Sequence, residues 1–303
     1  MSSDDFSSTY ESNEKLGSSG QIESEESISS YEFIEQIGAG GQGKIWKAIR
    51  SSDGKTVALK ILQANNDESM QIAVGEIQKL QAMSSPQCQQ NVICYYGYNL
   101  DMTDGNILIE MEYIEGKTLS EYAKELREKG EYDKLYKHLL LITKDLIKGL
   151  LWVHQKNIIH NDIKPDNIMI DKKLTPKLID FGVACDSHDI CRLDSSSTPC
   201  CKGFSGTIAY ASPEMYEHRL RYPQSDIWSL GMSLYEAATG KTPYDYGTSK
   251  PNIRDIFQAV QDKTPKKLET SNLLLNEIVN KSLVKNPVDR ISASEINLLL
   301  KNY

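Results

Sequence analysis

His160-Asn161-Asp162-Ile163-Lys164-Pro165-Asp166-Asn167 and, eighteen positions beyond Asp162, Asp180-Phe181-Gly182 form the stretch on which the reading of this chain turns. The first string sets a carboxylate, an ammonium and an amide within a few residues of one another, and the second adds a further carboxylate. Such a set can hold a cation, orient a nucleophile and offset developing negative charge, tasks that depend on positioned groups more than on covalent chemistry. Upstream, residues 139–154 carry apolar side chains at helical spacing and read as a buried helix that delivers the first loop.

Toward the N-terminus, residues 31–37 and 44–50 read as strands around Gly38-Ala39-Gly40-Gly41-Gln42-Gly43. After the turn Ser51-Ser52-Asp53-Gly54, residues 55–61 read as a third strand. The glycine string fits G-x-G-x-x-G, which also serves dinucleotide folds. There the last glycine opens a helix, whereas here Ile45 and Trp46 continue into strand and no βαβ unit follows. Lys60 ends Val57-Ala58-Leu59-Lys60, and the next helix offers Glu76 as its acidic partner, with Glu68 as the alternative. Ile72, Leu80 and Met83 follow helical spacing that turns the Glu76 face inward. Three later strings complete the set: Ile107-Leu108-Ile109-Glu110-Met111-Glu112-Tyr113-Ile114-Glu115-Gly116, Ser205-Gly206-Thr207-Ile208-Ala209-Tyr210-Ala211-Ser212-Pro213-Glu214 and Asn286-Pro287-Val288-Asp289-Arg290.

Taken in order, these motifs resemble those of a eukaryotic-type serine/threonine protein kinase over residues 31–303. The resemblance implies an α+β, two-lobed protein kinase fold, with a small antiparallel-sheet N-lobe at 31–113 and a mainly helical C-lobe at 114–303. It implies transfer of the γ-phosphoryl of Mg-ATP to protein Ser or Thr hydroxyls. Asp162 then positions and deprotonates the hydroxyl, Lys164 and Lys60 steady phosphates, Glu76 holds Lys60, and Asn167 and Asp180 hold Mg²⁺, with Mn²⁺ as a substitute. Gly38, Gly40 and Gly43 let backbone approach the phosphates. Met111 lies behind the adenine, the backbones of Glu112 and Ile114 meet its edge, and Ile45, Ala58 and Met169 sandwich the ring. His160 reads as a packed structural residue. Glu214 pairs with Arg290, and Asp226-Ile227-Trp228-Ser229-Leu230-Gly231 matches the helix that anchors the catalytic loop. Thr207 with Lys164 fits the pairing that accompanies Ser/Thr acceptors.

Two departures stand out. Asn161 and Ser212 occupy places where the family usually has arginine and alanine. The arginine pairs with a phosphorylated residue of the activation segment, and a neutral amide offers no such charge-assisted pair. That segment also holds four of the six cysteines, Cys185, Cys191, Cys200 and Cys201, with His188 between the first two. Free thiols are the expectation, and Zn²⁺ binding or a redox-formed disulfide are the alternatives. Ser195, Ser196, Ser197 and Thr198 are candidate phosphorylation sites.

Bulk properties agree. The chain of 303 residues has 39% hydrophobic and 25% charged residues and a net charge of −8, which argues against a nucleic-acid partner. No apolar run approaches the ~20 residues of a membrane span. The start lacks the basic and apolar blocks of a secretory signal, and no glycine follows Met1, so an intracellular, cytoplasmic and reducing setting is expected. Residues 1–30, rich in Ser, Glu and Asp, read as a disordered acidic tail. A protein carrying Ser or Thr is the expected partner, and oligomeric state is not legible. Two rival readings remain: an ATP-binding pseudokinase scaffold, suggested by Asn161, and a kinase-like phosphotransferase for small molecules, against which the 205–214 segment counts.

Overall fold

β1 (Tyr31–Gly40) and β2 (Gly43–Arg50) form a hairpin whose tip is the glycine string itself, with Gly40 opposite Gly43. The strands thus run on into that string instead of stopping short of it. A computed structural model describes residues 30–40, 43–101, 105–187, 189–193, 196–248, 250–301 and 303, so the expected tail lies almost wholly outside the described residues. β3 (Thr56–Gln63), β4 (Tyr95–Asp101) and β5 (Asn106–Glu112) complete an antiparallel sheet in the order β1-β2-β3-β5-β4. Strand side chains alternate faces. Val57 and Leu59 pack with Tyr31 and Ala48 on one side. Ala58 and Lys60 take the other, opposite Met111 and Ile109 of β5.

α1 (Asp67–Ser84) packs on that second face. Asn66 caps it by accepting the Ser69 N–H at 2.8 Å, while the Ser69 side chain answers the Asn66 backbone. Ala73, Glu76, Ile77, Leu80 and Met83 are its buried residues. The inward face expected from Ile72 therefore needs correction. Ile72 is 56% exposed, because at 3.6 residues per turn the row through Glu76 and Leu80 continues to Ala73, one step further round the helix.

Beyond Glu112 the chain becomes mainly helical. β6 (Gly116–Thr118) leads into α2 (Leu119–Glu128), capped by Thr118 and Glu121, and then α3 (Tyr132–Gln155), which begins a turn and more before the expected 139. β7 (Ile158–Ile159), β8 (Ile168–Asp171) and β9 (Pro176–Leu178) flank the two polar loops. β10 (Cys185–Asp186) pairs with β7, and β11 (Asp189–Leu193) with β12 (Ser196–Lys202). After α4 (Pro213–His218), β13 (Leu220–Arg221) pairs with β12 and precedes α5 (Pro223–Thr239), which is buried almost throughout. α6 (Ile253–Asp262), α7 (Leu273–Ser282) and α8 (Ala293–Leu300) close the lobe. One core runs from Leu62 and Ile77 through Phe181 to Trp228 and Ile278, so the two lobes share packing. No helix among the described residues is long and apolar enough to cross a membrane.

The cysteines are not free thiols. Disulfides join Cys88 to Cys94, Cys185 to Cys201 and Cys191 to Cys200. Sulfur committed to a disulfide has no thiolate for a metal. Among the described residues no group of three or more candidate ligands is assembled, which removes the support for Zn²⁺. His188 and Ser195 lie outside the described residues.

Glu214 and Arg290 pair as expected, through two parallel bonds of 2.8 and 2.9 Å, with 4% and 3% of each residue exposed. Burial works to raise the Glu214 carboxyl, but the Arg290 guanidinium outweighs it and holds the group below its ordinary value. Removing one partner strands the other charge in the core. Arg290→Ala is expected to destabilise the protein by about 3–5 kcal/mol, measured by urea unfolding.

Candidate active site

Asp226, in the first turn of α5, has no exposed surface. Its Oδ2 accepts the His160 N–H at 2.9 Å and faces His154 Nε2 at 2.8 Å, while Oδ1 accepts the Asn161 N–H at 2.9 Å. Two successive amides held on one carboxylate fix the entry to the 160–167 loop. His160 packs tilted against Phe181 at 4.6 Å between ring centres, donates from Nε2 to Ile179 O at 3.1 Å and accepts the Asp162 N–H at Nδ1. Both ring nitrogens are thus engaged in structure. Asn161 adopts φ 65°, a left-handed conformation that asparagine tolerates. Its amide nitrogen bonds Ile159 O at 3.2 Å, and Val183 O and Cys185 Sγ at 3.1 Å.

Asp162 then receives donors from three directions. Oδ1 accepts the Thr207 N–H at 2.7 Å, and Oδ2 accepts Asn167 Nδ2 at 2.7 Å and pairs with Lys164 Nζ at 2.8 Å. Lys164 also donates to Thr207 Oγ1 at 2.8 Å, so one ammonium joins the catalytic loop to the activation segment. Gly206 makes this approach possible. Its φ is 92°, and a Cβ there would lie 2.1 Å from Asn161 O. Burial favours the protonated Asp162, yet the Lys164 and Thr207 bonds prevail and keep the carboxyl below its ordinary value.

A second charge cluster joins β3, α1 and the 180–182 loop. Lys60 Nζ lies 2.6 Å from Glu76 Oε1 and 3.3 Å from Asp180 Oδ1, and both Lys60 and Glu76 are buried. Glu76 therefore holds Lys60, and Glu68 does not. Burial raises the Glu76 carboxyl above its ordinary value, against the pull of Lys60. Asp180, at φ 63°, takes the Gly182 N–H on the same Oδ1 that meets Lys60, while 36% of its side chain stays exposed. Asn167 turns both amide hydrogens to Asp162, its backbone oxygen at 2.8 Å and its Oδ2, which leaves the amide oxygen for a cation. An amide oxygen and a carboxylate suit Mg²⁺, which binds few protein oxygens and completes its shell with water and phosphate.

The remaining expected residues are divided between the five-stranded sheet, the β6-β8-β9 sheet and the link between them. Ile45 sits across from Lys60, Ala58 from Met111, and Met169 of β8 from Thr118. Gly38 pairs with Ile45, and Gly40 with Gly43 at the hairpin tip. Ile114 packs partly buried against the main core. The Glu112 N–H is already given to Cys94 O at 2.9 Å, so its backbone can offer a base only the carbonyl. Sequence reasoning did not pick out His154, whose signal is its place at the end of the buried helix. It also did not see that Asn161 reaches Cys185, a contact between residues 24 positions apart.

The protein kinase domain family matches residues 31–298. Mitogen-activated protein kinase kinase 1 of Arabidopsis thaliana is 33% identical over 245 residues, covering 79% of this chain and 64% of that protein. Mitogen-activated protein kinase kinase 2 of the same plant is 30% identical over 80% of this chain and 64% of its own length. Serine/threonine-protein kinase Nek2 of Homo sapiens is 31% identical over 84% of this chain and 55% of that protein. The chain thus spans 55–64% of the length of these relatives. With the paired lobes, the lysine held by Glu76 and the two loops in register, the match makes the chain a member of the protein kinase domain family.

Proposed function

We propose that this protein transfers the γ-phosphoryl group of Mg-ATP to serine or threonine hydroxyls of a protein. One observation carries the reading: Lys164 Nζ sits 2.8 Å from both Asp162 Oδ2 and Thr207 Oγ1, so the acceptor-aligning carboxylate and the segment that would cradle a peptide are one unit. The relatives, all named as kinases, support it.

In this reading Asp162, ionised at neutral pH, accepts a hydrogen bond from the acceptor hydroxyl and points its oxygen at the phosphorus. A carboxylate of lowered pKa is a weak base. The proton therefore moves late, once the forming O–P bond has acidified the hydroxyl and the bond to ADP is breaking. Lys164 offsets charge on the moving phosphoryl, and Lys60, aimed by Glu76, does so on the phosphates that remain with ADP. When bound, Mg²⁺ neutralises phosphate charge, with Asn167 and Asp180 as the side chains to hold it. Gly38, Gly40 and Gly43 supply backbone to the phosphates. Ala58, Ile45, Met111, Met169, the Glu112 carbonyl and Ile114 supply the adenine site. Dependence on ATP supports an intracellular, cytoplasmic location.

Mass spectrometry of a generic protein substrate after incubation with Mg-ATP is expected to find phosphoserine or phosphothreonine. Asp162→Asn should lower the rate at least about a hundredfold. Transfer by the variant at the parent's rate would refute the assignment.

Glu76 yields a prediction of opposite sign for stability. A carboxyl whose folded pKa lies above its unfolded one makes the fold lose stability as pH rises through that window. Glu76→Gln should thus flatten this part of the pH dependence of the thermal midpoint between pH 7.5 and 4.5, the carboxyl's ordinary value. Phosphoryl transfer should nonetheless drop about tenfold or more.

A further inference from the structure

We propose that Cys185 and Cys201 are a reversible redox site that ties the activation segment to the catalytic loop. The proposal rests on the phosphoryl-transfer reading above only for its effect on rate. Cys185 lies in β10, directly opposite Ile159, the residue before His160. Cys201 lies in β12, opposite Arg221 of β13, on the far side of Thr207 and α4. Their bond therefore joins the start of the segment, as it leaves Asp180, to the strand pair that frames its end. A Cα–Cα distance of 6.4 Å lies within the span that a disulfide bridges. Cys191 and Cys200, 5.8 Å apart, link two strands already joined by a backbone ladder, so that bond restrains little that hydrogen bonds do not.

The surroundings favour chemistry at this pair. Asn161, bonded to the Cys185 sulfur, stands at the centre of the catalytic loop and carries no charge with which to hold a phosphorylated side chain. A covalent tie occupies the place of an ionic one. Arg221 is 7% exposed, makes no ion pair among the described residues and leaves Nε without a partner, its Nη2 donating to Lys202 O at 2.7 Å. It is the register partner of Cys201, so a cation occupies the strand pair that carries the disulfide. Cys185, Arg221, Gly182 and Ser205 line one groove of about 1210 Å³, open enough for a small oxidant or a thiol reductant to enter.

A peroxide completes the balance. The Cys185 thiolate, which lines the groove, attacks hydrogen peroxide, forming a sulfenic acid and releasing hydroxide. Cys201, as thiolate, attacks that sulfur and expels a second hydroxide. The protons of the two original thiols convert both hydroxides to water, leaving one disulfide. A dithiol reverses the step, becoming a disulfide itself. Closing this loop removes arrangements of the undocked segment that lack the Thr207–Asp162 contact.

The full chain, treated with hydrogen peroxide and desalted or kept in dithiothreitol, gives three readouts: peptide mapping without reduction, amide hydrogen exchange over residues 203–210, and transfer from Mg-ATP. Oxidised protein should yield a Cys185–Cys201 crosslinked peptide, slower exchange at Thr207 and transfer about tenfold faster. Cys185→Ser and Cys201→Ser should each behave as the reduced form under both conditions, while Cys191→Ser combined with Cys200→Ser keeps the response. Absence of the crosslink, equal exchange in the two states, or transfer that is unchanged or slower on oxidation would overturn the proposal. A chain inactive in both states would count against phosphoryl transfer instead, and the crosslink and exchange would still decide this proposal.

Discussion

A single carboxylate with no exposed surface, Asp226, holds the 160–167 loop by accepting the N–H groups of His160 and Asn161 and facing His154. Desolvating a carboxylate is costly unless its lone pairs are filled, so these bonds are obligatory and geometrically demanding. They place Asn161 in its left-handed conformation and so turn the chain such that Asp162 faces Asn167, Lys164 and Thr207. His160, packed tilted against Phe181, carries the same constraint to the Asp180 loop. Both metal-binding candidates, Asn167 and Asp180, thereby depend on a residue buried beneath them in α5.

The two charge clusters are tuned in opposite directions. Asp162 gains enough donors to remain ionised despite burial, whereas Glu76 is kept above its ordinary value by burial even beside Lys60. The first suits a group that aligns a hydroxyl and receives its proton late. The second marks a pair retained at some cost to stability, the usual mark of function placed in a core. Arg290 and Glu214 show the structural counterpart, a bidentate pair whose carboxyl is held low.

Much of this arrangement was legible because it depends on short strings. The loops at 160–167 and 180–182, the lysine at 60 and the closing Glu214 each carry a residue type that chemistry requires at one spacing. The sheet followed from alternation in residues 55–61, since Ala58 and Lys60 must share a face. Helical phase was less secure: Ile72 fits an apolar pattern by type, but Ala73 occupies the inward position. Contacts between distant residues were not legible at all. Nothing local in Asn161 announces Cys185, and nothing in four clustered cysteines says which pairs meet, because pairing is decided by β10, β12 and β13.

The most direct test of the account is single-turnover transfer by Asp226→Asn, measured beside its affinity for Mg-ATP. An asparagine keeps the shape but turns an N–H toward one of the amides that the carboxylate accepted, which should loosen His160 and Asn161. The account predicts a rate lowered at least about tenfold with nucleotide affinity little changed. Transfer at the parent's rate would contradict the claim that Asp226 sets the geometry of the site.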